Sequence, residues 1–305
     1  GIRDPEMSRG LGDVYRRQVL TPRGLVLKGA MWGNSDTMST VVIMMSGICS
    51  NVFQNALLPA AGELLSKNGI AFIAGQAMDA FSFISYSNLK TGKQTTTGVV
   101  NDDFSLAYED VEAYVKYAKN LGFTKIILAG HSLGSNRAIH YLANTTDDFV
   151  SNFILSAAVD LRHFFDIIPE KEMYLETAQK FVDEGRGKDI LPFAFMGFSP
   201  MTANTLLAFY NAENLKNCPV ISNDGETCSL AQMKVQGAFI IGSRDSMTNH
   251  DAEGFVRKIN SYCNNPEQNR IIVIPNASHI YYAKHEEHAQ SVLDCVNSFD
   301  CIGLV

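Results

Sequence analysis

Short runs that are apolar at nearly every position recur along this chain, at residues 41–45, 70–75, 125–129, 153–158, 238–241 and 271–274. Each is too short for a helix that buries one stripe. A strand exposed on one face would alternate with polar residues, and these runs do not. Strands apolar on both faces belong in a sheet covered on both sides. Between them lie segments with helical periodicity at 53–67, 106–120, 135–142 and 281–298. The alternation predicts an α/β fold with a mostly parallel central sheet and helices on both faces. Residues 14–20 and 25–32, joined by Thr21-Pro22-Arg23-Gly24, read as an antiparallel pair at the start.

The rhythm breaks in two places. Residues 81–105 are polar and rich in Ser and Thr, and read as a long loop. Residues 161–237 separate two strands and hold helical patterns crowded with aromatic side chains. The chain therefore divides into a core of residues 1–160 and 238–305 and an inserted helical cap, 161–237. The aromatics of the cap form its own core or line a substrate pocket. Phe164, Phe165, Phe193, Phe195 and Phe198 are the candidates for the lining, with Tyr86 and Asp79 from the core available to orient a polar group.

Composition narrows the function classes. The chain has 305 residues, 46% of them hydrophobic and 19% charged, with a net charge of −7. No basic stripe marks a nucleic-acid partner, and no apolar run approaches the roughly 18 residues needed to span a bilayer. The six cysteines are too sparse for a disulfide scaffold. Cys218 with Cys228 and Cys295 with Cys301 are each close in sequence, but free thiols are the simpler expectation. No spacing of metal ligands occurs. Residues 1–12 lack the apolar centre of a secretory leader. The glycosylation sequon Asn276-Ala277-Ser278 directly precedes His279, where a glycan would obstruct a site; a second sequon begins at Asn144. Together these features point to a cytoplasmic protein. Oligomeric state is not legible.

The chemistry concentrates at Gly130-His131-Ser132-Leu133-Gly134. This G-x-S-x-G directly follows the apolar run 125–129 and directly precedes a helical segment, the setting in which a serine sits on a tight strand-to-helix turn. A serine hydroxyl is a poor nucleophile without a base. Of the seven histidines, His279 alone lies just beyond the last apolar run, where a loop turns it back towards Ser132. His131 points elsewhere on the elbow, His140 lies within a helix, and His285 and His288 fall on what reads as an exposed helix face. The base needs a carboxylate to fix its tautomer. Asp245 follows the run 238–241 at the same sheet edge, and Asp160 is the reserve. Charge developing on a carbonyl oxygen needs backbone donors. Leu133 N–H follows the nucleophile, and Ser46-Gly47-Ile48 places Ile48 N–H after the run 41–45.

On these motifs the chain resembles the α/β-hydrolase superfamily over nearly its whole length: Gly130 to Gly134, then Asp245, then His279, with Ser46-Gly47-Ile48 upstream. Ser46 departs from the His-Gly start that many members have at the oxyanion loop. The cap segments Met173-Tyr174, Glu184-Gly185-Arg186-Gly187 and Leu191-Pro192, with Thr202-Ala203 through Phe209-Tyr210, are similar to serine esterases related to the fungal siderophore (fusarinine-type) esterases. The superfamily resemblance implies a serine hydrolase that cleaves a small-molecule carboxylic ester through a Ser132–His279–Asp245 triad. The aromatic-rich insertion suggests an apolar or aromatic part in that ester, and the chemistry needs only side chains and water, with no cofactor. The same triad also serves thioester, amide or carbon–carbon cleavage and acyl transfer. A non-catalytic binding protein on the same frame is the reading from a different class.

Overall fold

Along the run at 41–45, Val42 and Met44 turn to one side of a sheet while Val41, Ile43 and Met45 turn to the other, and both sets are fully buried. The computed structural model describes residues 14–195, 199–211, 218 and 229–299. Its central sheet has eight strands: β1 (Val14–Leu20), β2 (Val26–Trp32), β3 (Thr40–Met45), β4 (Ala71–Gly75), β7 (Lys125–His131), β8 (Val150–Ser156), β11 (Gly237–Gly242) and β12 (Arg270–Ile274). The order across the sheet is β1-β2-β4-β3-β7-β8-β11-β12. Only β1–β2 and β2–β4 pair antiparallel; every other neighbouring pair is parallel.

The two sheet faces carry separate apolar layers. One packs α2 (Ala107–Asn120), α3 (Leu133–Asn144) and α7 (Ala252–Ser261) against Ile43, Ile73, Leu128 and Phe239. The other packs α1 (Leu57–Lys67) and α8 (His285–Phe299) against Val42, Phe72, Ile127 and Ile240. Because the central strands run parallel, their C-terminal ends deliver the following loops to one edge of the sheet.

Several sequence expectations need correction. The polar stretch 81–105 contains a hairpin, β5 (Ile84–Asn88) and β6 (Lys93–Thr97), followed by two single turns of 3₁₀ helix at Val99–Asn101 and Phe104–Leu106. Tyr86 points inwards between exposed Ser85 and Ser87, and Asn88 Oδ1 accepts the amides of Lys90 and Thr91 to close the turn. α1 starts at Leu57, leaving Phe53 84% exposed. α8 starts at His285, because Tyr281 and Ala283 take left-handed backbone angles that no helix accepts.

After β8 the chain enters the insertion. Its described part holds α4 (Leu161–Asp166), α5 (Lys171–Asp183), the hairpin β9 (Ile190–Phe195) and β10 (Ser199–Thr202), and α6 (Ala203–Asn211). It is therefore not wholly helical. Phe165, Met201 and Phe209 join Leu133, Val99 and Phe104 in a third apolar cluster, which seats the insertion on the sheet's C-terminal edge. Among the described residues no helix is long and apolar enough to cross a membrane. Cys228 and Cys301 lie outside the described residues, so neither candidate cysteine pair is described; Cys218 and Cys295 are buried.

Candidate active site

β7 ends on Gly130 and His131, and α3 begins at Leu133; Ser132 makes the turn between them with φ 54° and ψ −127°. A non-glycine residue holds such angles only where its surroundings enforce them. Here Ser132 N–H donates to Ser156 O at 3.0 Å, and Ser135 N–H to Ser132 O at 2.8 Å. Gly134 lets α3 cross the end of β3: a Cβ at this position would stand 2.0 Å from Met45 O. A Cβ on Gly47 would lie 3.1 Å from Ser132 Cβ, so the loop after β3 runs directly alongside the serine.

Ser132 Oγ lies 2.9 Å from His279 Nε2, and His279 Nδ1 lies 3.0 Å from both Oδ1 and Oδ2 of Asp245. The sequence-derived trio is thus brought together. Asp245 follows β11, and its carboxylate also accepts Met247 N–H at 2.9 Å. Its side chain is 1% exposed and that of His279 13%, so little water competes for the contact. The loops carrying them are tied to each other: Arg244 N–H donates to Ala277 O at 2.9 Å and Ser243 N–H to Ile274 O at 3.0 Å.

A second group of histidines stands behind His279. His131 is buried, and its Nε2 donates to the His279 carbonyl at 2.9 Å. Burial, reinforced by the neighbouring His279, pushes His131 down to about 4. His288 is fully buried on α8, contrary to the exposed face read from sequence, with its Nε2 2.9 Å from Ser156 Oγ. Burial pushes it down to about 3. Tyr281 packs between the two rings and donates its hydroxyl to Ile240 O at 3.0 Å. At neutral pH both imidazoles are uncharged, so they fix the backbone around Ser132 and His279 without adding positive charge. Sequence reasoning missed both. The signal was present for His131, since the residue before an elbow serine is the last of a buried strand.

A buried ion cluster braces the other side. Arg137 of α3 lies 2.8 Å from Asp79 Oδ2 and 3.4 Å from Asp102 Oδ2, and donates to Ser46 O at 3.5 Å. Asp79 O in turn accepts Cys49 N–H at 3.1 Å. Burial raises both carboxyls; repulsion from Asp79 adds to the rise at Asp102, and repulsion from Asp110 to that at Asp79.

The serine opens into a cavity of about 540 Å³. Ile48 and Leu133, the expected backbone donors, both line it. Leu133 opens α3, so its amide is one of the first-turn donors that a helix leaves without an internal acceptor. Phe164 and Phe165 line the cavity, as do Leu161, Met201, Phe209 and Met247, which sequence reasoning did not pick out. Phe193 instead stacks on Tyr174 with ring centroids 4.3 Å apart. The Phe195 side chain and all of Phe198 lie outside the described residues. Tyr86 is buried under Lys28, and Asp79 serves Arg137, so neither faces the cavity. Asp160 accepts His163 N–H at 3.0 Å and caps α4. Among the described residues no group of three or more His, Cys, Asp or Glu side chains is arranged to hold a metal ion.

A family model described as proteins of unknown function (DUF1749) matches residues 96–299. No curated protein matches the sequence. Solved structures do share its architecture. Est1E from Butyrivibrio proteoclasticus, with ferulic acid bound, is 16% identical, with a TM-score of 0.59 over 92% of this chain and 99% of that one. The Pyrococcus furiosus esterase PF2001 is 17% identical, with a TM-score of 0.57 over 94% and 91%. The α/β hydrolase GrgF from Penicillium sp. sh18 is 14% identical, with a TM-score of 0.62 over 94% and 97%. At these identities the likeness is one of fold. The chain belongs to the DUF1749 family and has the α/β-hydrolase fold.

Proposed function

We propose that this protein is a serine hydrolase that cleaves a carboxylic ester through an acyl-enzyme, with the insertion serving as a cap over the site. The observation that carries the reading is the unbroken chain of contacts from Ser132 Oγ through the His279 ring to the Asp245 carboxylate, at 2.9 and 3.0 Å. The esterases among the structural neighbours support the same class.

The steps follow from the geometry. Asp245 accepts Nδ1–H, which leaves Nε2 as the lone-pair nitrogen facing Ser132. As Oγ bonds to the carbonyl carbon, its proton passes to Nε2 and the carbonyl oxygen becomes an oxyanion held by the amides of Ile48 and Leu133. Collapse breaks the bond to the alcohol oxygen, which takes the proton from Nε2. Water then attacks the acyl-enzyme, gives its proton to His279, and the acid departs as Ser132 regains its hydrogen. The test is Ser132→Ala. Turnover of a small aryl ester by folded protein is expected to fall at least about a thousandfold; activity near the parent's level contradicts the reading.

A further inference from the structure

The cavity beside Ser132 has two unlike walls. Leu161, Phe165, Met201 and Phe209 form one; they are 8%, 6%, 1% and 2% exposed and belong to a single apolar cluster. The other is open and carries polar groups. Gln54 and Asn55 precede α1, while Tyr282 and His285 follow His279 towards α8, with Gln54 exposed and Tyr282 75% exposed. Helices α1 and α8 pack together on one sheet face, so these residues form one continuous wall.

The chemistry proposed above orients an ester between them. His279 Nε2 must reach the oxygen of the departing alcohol to protonate it, so the alcohol leaves on the side of His279 and of the residues that follow it. The oxyanion takes the direction of Ile48 and Leu133. The acyl chain takes the remaining direction, towards the closed wall; Leu133 itself belongs to that apolar cluster. Resting on the serine-hydrolase reading, the geometry points to an enzyme selective for the acid half of its substrate, an apolar acyl chain held by Phe165, Met201 and Phe209. It is permissive for the alcohol half, which stays in contact with solvent at Tyr282 and His285.

Two ester series test this with the whole chain. In p-nitrophenyl esters of lengthening straight-chain acids, kcat/KM is expected to rise about fourfold per methylene from acetyl to hexanoyl, the ratio that corresponds to about 0.8 kcal/mol per buried methylene. With the acyl group held at hexanoyl and the alcohol varied from methanol to butanol and glycerol, kcat/KM is expected to change less than about fivefold. Met201→Trp is expected to lower the hexanoyl-to-acetyl ratio at least about tenfold, a ratio that partial misfolding leaves unaffected. Steep dependence on the alcohol with little on the acid, weak dependence on both, or an unchanged ratio in Met201→Trp overturns the assignment. Labelling by a fluorophosphonate separates the two levels of failure. Protein that labels at Ser132 but shows any of those patterns, or hydrolyses neither series, refutes the acyl assignment alone. Protein that neither labels nor hydrolyses refutes the serine-hydrolase reading, and the acyl assignment falls with it.

Discussion

Ser132 Oγ and His279 Nε2 meet at 2.9 Å although 147 positions separate them in the chain. The contact exists because parallel strands β7 and β12 end at the same edge of the sheet, and because buried groups hold both loops from behind: Ser156 O on the Ser132 amide and His131 Nε2 on the His279 carbonyl.

Asp245 accepts Nδ1–H of His279 and thereby selects the tautomer that offers Nε2 to Ser132. Asp245→Asn keeps the shape but allows the amide to donate, which favours the wrong tautomer. Turnover of an ester at pH 7 to 8 is expected to fall about 10⁴-fold, the size of this effect in serine proteases. A fall of less than tenfold would show that Asp245 does not orient the base.

Gly134 faces Met45 O so closely that an added methyl would sit 2.0 Å from it. Backbone cannot yield as a side-chain tip can, so Gly134→Ala must push α3 off β3. A loss of about 3 kcal/mol is expected in chemical denaturation, the upper end of what overpacking usually costs. A variant as stable as the parent contradicts the close approach.

Arg137 lies between Asp79 and Asp102, and all three are buried. Arg137→Met strands two carboxyls in the interior and is expected to cost about 3 to 5 kcal/mol. Adding Asp79→Asn and Asp102→Asn to the same chain should restore part of it. Urea midpoints check both statements; a loss below about 1 kcal/mol would contradict the pairing.

The buried His288 makes stability depend on pH. Its folded value, about 3, lies below the ordinary 6.5, so the unfolded chain takes up the proton first as pH falls. The contribution of His288 is constant above about pH 6.5 and falls below it, by about 2 kcal/mol between pH 7 and pH 5. His288→Gln should lose about 2 kcal/mol less than the parent over that interval, measured by urea unfolding at both pH values. Equal losses would show that His288 is not held neutral.

The centre of the sheet was legible because its strands hold runs that are almost wholly apolar: residues such as Val41 to Met45 have no alternative to burial on both faces. The elbow was legible because Gly130 and Gly134 flank Ser132 where a strand meets a helix, and close packing there leaves little choice of residue. The β5–β6 hairpin escaped notice because its strands are mostly polar, with Ile84 and Tyr86 the large apolar side chains that pack inwards. His288 looked exposed because its burial depends on a partner, Ser156, in a strand more than a hundred residues earlier. The cavity wall was half legible. Phe164 and Phe165 lie just past the end of β8, near the site by connectivity. Met201 and Phe209 reach it only through the packing of β10 and α6, a register that aromatic content alone does not reveal.

Covalent trapping tests the central claim most directly. Folded protein treated with a fluorophosphonate should gain one adduct mass, located by peptide mapping at Ser132, and His279→Ala should slow the reaction at least about a hundredfold. Folded protein that takes up no adduct, or takes it up at a residue other than Ser132, contradicts the assignment of this serine as the nucleophile.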